Sequence, residues 1–154
     1  MSAVSIQAPL PHYEEALAYW DDFTVQCRRH VKAINACIFE NQLPEEQGVT
    51  FTAGPRGVSI TRGYYPSTEV KMRLEFEHWG PKICVSVRGD QDPDLRFYPE
   101  DYEFTVATDM DDQMIAIITE GRSLTAHEFA KYVAQNFRRC YPGLSLPCPE
   151  HPFN

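Results

Sequence analysis

The sequence lacks any run of 18 apolar residues, so no stretch of it predicts a membrane-spanning helix. Its opening, Met1-Ser-Ala-Val-Ser-Ile-Gln-Ala-Pro-Leu10, has neither the basic start nor the continuous apolar core of a signal peptide. A cytoplasmic protein is therefore expected. Positive charge is scarce as well: 14 Lys and Arg stand against 22 Asp and Glu, a formal net charge of −8. Nucleic acids are bound largely by neutralising phosphates with Lys and Arg, so this balance argues against such a partner.

Catalytic signatures are missing too. No Gly-x-Ser-x-Gly elbow occurs, and no glycine-rich loop is placed to cradle a phosphate. Cysteine is present as an odd set of five, Cys27, Cys37, Cys84, Cys140 and Cys148, in a chain large enough to fold without staples. That set reads as reduced thiols rather than a disulfide framework. Cys27, Cys84 and Cys140 fall within packed elements, where a thiol behaves as a small hydrophobe.

What remains is an ordinary globular composition over 154 residues, 43% hydrophobic and 23% charged, which suits one domain with its own core. From Tyr13 to Phe39 the residues Leu17, Trp20, Phe23, Cys27, Val31, Ile34 and Ile38 recur at helical spacing. Acidic Glu14, Glu15, Asp21 and Asp22 come early and basic Arg28, Arg29 and Lys32 late, the order that a helix dipole favours. Pro44 limits this helix. Beyond it the period falls to two, and strands are expected over 49–53, 58–62, 70–79, 83–87, 102–108 and 114–119. Thr125-Ala-His-Glu128 has the form of a capping box, and Phe129, Val133, Phe137 and Cys140 then mark a helix over 126–140.

Helix, about six antiparallel strands and helix make an α+β two-layer sandwich, with both helices on one face of a meandering sheet. That face is expected to bury Leu74, Phe76, Val85 and Phe104. Thr50, Thr52, Ser59, Thr61, Lys71, Arg73, Glu75 and Glu77 are assigned to the open face. The single domain spans 11–141, preceded by a flexible lead-in over 1–10. It is followed by a Pro-rich extended tail over 142–154, with Pro147, Pro149 and Pro152.

Several constellations invite chemistry. Asp90, Asp92, Asp94 and Asp101 stand at positions one, three, five and twelve of a calcium loop. Leu95 replaces the required Gly and Pro93 stiffens the run, so an ordinary turn is expected, as for Asp109-Met-Asp-Asp112. Cys27 with His30 and Cys148 with His151 are two Cys-x-x-His pairs, but they lack the tight spacing of a zinc site. No metal or cofactor is expected.

The aromatic groups Tyr64-Tyr65 and Phe97-Tyr98 sit among acidic residues, which favours packing over base stacking. The functional expectation is a non-catalytic protein-binding domain of the adaptor, chaperone-like or immunity-like kind. The alternative is a small-molecule or enzymatic pocket between sheet and helices, using His78, Tyr102 and the Asp90, Asp92, Asp94 group.

The partner is expected to be a protein, a second copy of the chain in the first place. Met114–Thr119 is apolar at both parities, so something must cover the Ile115 and Ile117 side. A homodimer interface at Ile115 and Ile117 is one cover. The tail, through Leu144, Leu146 and Phe153, is the other.

Overall fold

A computed structural model describes residues 13–63, 67–77, 80–89, 100–108, 114–117, 123–138, 140–141 and 144. Helix α1 spans Tyr13–Glu40, and its buried stripe includes Ala16, Trp20, Phe23, Cys27, Ile34 and Ile38. Its end is closed before Pro44 by Gln42, which takes a left-handed conformation at φ 58°. Leu43 N–H then donates to the Ile38 carbonyl at 3.1 Å, the reach-back of a Schellman cap with Gln in the place usually held by Gly. A single 3-10 turn over Glu45–Gln47 follows, which periodicity did not foretell.

Among the described residues seven antiparallel strands come next: β1 (Thr50–Ala53), β2 (Gly57–Arg62), β3 (Thr68–Glu77), β4 (Gly80–Gly89), β5 (Glu100–Thr108), β6 (Met114–Ile117) and β7 (Ser123–Leu124). They lie side by side in chain order, so the sheet is the expected meander. The two-residue β7 is the strand beyond the six expected. Helix α2 (Ala126–Arg138) closes the described fold, and its capping box forms. Glu128 N–H donates to Thr125 Oγ1 at 3.2 Å, and Thr125 N–H donates to Glu128 Oε1 at 2.9 Å.

Both helices cover one face, as the fold class requires. Val58, Val70, Met72, Leu74, Ile83, Val85 and Phe104 of that face are buried with Trp20 and Phe23 of α1 and Phe129 and Phe137 of α2. Aromatic rings knit the layers: Phe23 and Phe104 lie on opposite sides of Phe129, at centroid distances of 4.7 and 4.5 Å. Phe76 departs from expectation. It is only partly buried, because it sits near the far end of β3, where only Tyr13 of the first turn of α1 (4.6 Å) and the Arg56 guanidinium (4.9 Å) cover it.

His30, the second member of the Cys27-x-x-His30 pair, is buried with Cys27 on the packed side of α1. Among the described residues no helix is long and apolar enough to cross a membrane.

Candidate functional site

Each inward residue of β2 to β5 leaves its neighbours on the open face, and the register arranges those neighbours in rows across the sheet. One row runs Thr52, Ser59, Lys71, Ser86. The next runs Gly57, Arg73, Cys84, Glu103. A third runs Glu75, Lys82, Thr105 and position 117. Small side chains in the middle of the first two rows, walled by Lys71, Arg73 and Glu103, leave a trough of about 640 Å³. All eight residues assigned to the open face stand on strands at outward parity, and none of them is buried.

The charges beside the trough satisfy one another. Arg73 Nε lies 2.5 Å from Glu75 Oε2. Lys82 Nζ reaches Glu77 at 2.9 Å and Glu103 at 3.5 Å. Hydrogen bonding from Arg73 holds the Glu75 carboxyl below its ordinary range, and Glu77 raises Lys82 above its own.

The thiol of Cys84 donates to Glu75 Oε1 at 3.4 Å. Desolvation first, and the Glu75 carboxylate second, push it up to about 11. A protonated thiol is a poor nucleophile and a poor metal ligand. The trough therefore offers hydroxyls, a protonated thiol and paired charges beside an apolar floor that includes atoms of Val58, Met72 and Val85.

Reactivity at Cys84 checks this account. Each pKa unit is a tenfold change in thiolate fraction, so alkylation by iodoacetamide at pH 8 should be far slower than for an ordinary exposed thiol and should rise steadily towards pH 11. Removing the carboxylate with Glu75→Gln should lower the thiol pKa and speed alkylation at pH 8. Peptide mapping localises the adduct, since Cys27, Cys37 and Cys140 are buried. A rate at pH 8 equal to that of free cysteine would refute the arrangement.

The remaining expectations divide. In the register position 117 pairs with Thr105, which is exposed, and position 115 pairs with position 107. Tyr102 is half-buried on the inner face, 6.3 Å from Phe104, and some of its atoms also line the trough. Asp101, the twelfth place of the calcium-like string, falls inside β5 opposite Ser86. His78, Asp90, Asp92, Asp94, Asp109–Asp112, Cys148, His151 and the aromatic pairs Tyr64-Tyr65 and Phe97-Tyr98 lie outside the described residues, as do the lead-in and most of the tail. Cys27 is buried in the apolar core, and burial pushes its thiol far up, which opposes the thiolate that zinc requires.

Residue patterning alone did not single out the neutral thiol of Cys84. Its outward parity in β4 was available, since Lys82 and Ser86 flank it at a spacing of two. Its partners on β3 and β5 depended on register. Comparison with protein-family models, with curated proteins and with solved structures returns no match, so the geometry of the chain carries its functional reading alone.

Proposed function

We propose that this chain is a cytoplasmic, non-catalytic protein-binding domain, read as one unit over 11–141, that lays its open sheet face against a partner polypeptide. The observation carrying this reading is the trough. It is lined by Thr52, Ser59, Ser86 and the Cys84 thiol together with Lys71, Arg73 and Glu103, whereas Trp20, Phe23, Phe104, Phe129 and Phe137 fill the core between sheet and helices. The pocket alternative is left a cavity of about 1030 Å³ at the edge of that layer, between Ile38 and Phe39 of α1 and Val49 and Thr50. The free thiols of Cys27, Cys37, Cys84 and Cys140 suit a reducing compartment, and the net charge of −8 suits a partner with basic surface. Positions 115 and 117 extend the same face beyond the trough, and a second copy of the chain is one polypeptide that can cover them.

Two substitutions test the reading. Ser59→Arg with Ser86→Arg fills the trough without touching the core, and Ile117→Lys charges its extension. Native purification from the source cells should show a co-purifying protein that is lost with these variants and kept by a surface control such as Glu46→Gln. Sedimentation of the same variants reports whether that partner is a second copy. An unchanged set of partners, with thermal midpoints close to wild type, would refute the sheet-face reading.

A further inference from the structure

We propose that the chain also pairs with a second copy of itself through the outer face of α1, the two helices running antiparallel about a two-fold axis near Val25. This surface lies on the helix layer and does not rest on the sheet-face reading above.

Val25 and Phe39 are the large hydrophobic side chains left exposed among the described residues, at 49% and 83% of their surface. Fourteen residues apart, they lie within about 40° of each other around the helix axis. They belong to one outward stripe, with Ala18, Asp21, Arg28, Lys32 and Ala36 also exposed along it. Such spacing is that of a helix seam, not of a random scatter of apolar surface.

The charge order supplies the occupant. Asp21 and Asp22 stand on the N-terminal side of Val25, and Arg28 and Lys32 on the C-terminal side. Asp21 and Arg28 are seven residues apart, too far for the three- or four-residue spacing at which side chains meet on one helix. The spacing of four instead joins Arg28 to Lys32, a like-charge pair that weakens an isolated helix. Among the described residues none of these four groups forms an ion pair; the Arg28 guanidinium lies 5.1 Å over the Phe51 ring, and Asp22 Oδ1 accepts from Gln26 Nε2 at 3.3 Å, contacts that leave both charges uncompensated.

A second α1, turned end for end about Val25, answers each of these features. Arg28 comes opposite Asp22 of the other copy, and Lys32 comes within reach of its Asp21. Val25 meets its own counterpart, and Phe39 falls about 3 Å beyond the start of the facing helix. A parallel arrangement would set acids on acids and bases on bases. The pattern is therefore self-complementary in one orientation only, as a two-fold interface demands. Because its charges are exposed, the association should be modest and should weaken with salt.

Sedimentation velocity at micromolar concentration, in low and high salt, reads this directly on the full chain. Wild type should dimerise, more weakly at high salt. Asp21→Lys with Asp22→Lys makes the stripe wholly basic, and Arg28→Glu with Lys32→Glu makes it wholly acidic. Each variant alone should associate about tenfold or more weakly than wild type. Mixed in equal amounts, the two should recover a dimer, a result that general loss of folding cannot imitate. A wild type that stays monomeric, a dimer indifferent to both changes, or a mixture that fails to recover would each overturn the proposal. A dimer indifferent to these changes but lost on Ile117→Lys would instead assign the second copy to the sheet.

Discussion

Phe104→Ala is expected to lower the unfolding free energy by about 3–5 kcal/mol, the range for removing a buried aromatic ring. Phe104 is fully buried at the centre of β5. Its ring stacks on Phe129 at 4.5 Å and receives the edge of Tyr132 at 6.0 Å, so it is the point where the sheet meets α2. Truncation removes the transfer energy of the ring and leaves a void walled by other aromatics that cannot collapse into it. Thr105, the next residue, is exposed on the other side of the same strand. Thr105→Ala should cost about 1 kcal/mol or less, the span of strand preference alone. Urea unfolding of the pair measures both. Equal losses would mean that β5 does not have its inner face towards the helices.

Asn35→Ala is expected to cost about 2–4 kcal/mol, although it deletes only one amide. Val49 is buried and enters the sheet just before β1, where no neighbouring strand serves its backbone on that side. Asn35 of α1 serves it instead. Its Oδ1 accepts from Val49 N–H at 2.8 Å, and its Nδ2 donates to the Val49 carbonyl at 2.9 Å. The side chain thus acts as one rung of a ladder, and without it two backbone groups are left buried and unmet.

Gly48 is shaped to the same contact. A Cβ there would stand 3.1 Å from both Asn35 Oδ1 and the Glu45 carbonyl, so glycine is needed for space, its φ being an ordinary −74°. Asn35→Asp sharpens the test. A carboxylate keeps the acceptor but faces the Val49 carbonyl without a proton to donate, so folding should raise its pKa. The loss should be largest at neutral pH and smaller in acid, where the protonated carboxyl can donate again. An Asn35→Ala variant as stable as wild type would show that water replaces both bonds.

Much of the architecture is legible in local periods. The helical recurrence of Trp20, Phe23, Cys27 and Ile34, the alternation of Val70, Met72 and Leu74, and Thr125 with Glu128 each involve residues a few positions apart. These patterns determined the order of elements, the helix boundaries to within two residues and the assignment of faces. A side-chain period of 3.6 or 2 is a property of the backbone alone and needs no partner to be read.

What required the tertiary structure is whatever joins residues far apart in the chain. The pairing of β3 with β4 sets Arg73 beside Cys84, and that of β4 with β5 sets Glu103 on its other side, so the trough exists only once the register does. His30 and Gln26 are polar yet buried, and Gln26 Oε1 meets His127 Nδ1 of α2 at 3.4 Å, a partner 101 residues away in the chain. Val25, apolar in sequence, is left outside for the converse reason: the two covering layers reach only part of the circumference of α1. Phe76 follows the alternation of β3 and is still only partly buried, because just the first turn of α1, through Tyr13, reaches it. Periodicity states which side of an element is apolar. How far along that side the neighbouring layer extends is set by packing between elements, and no local pattern encodes it.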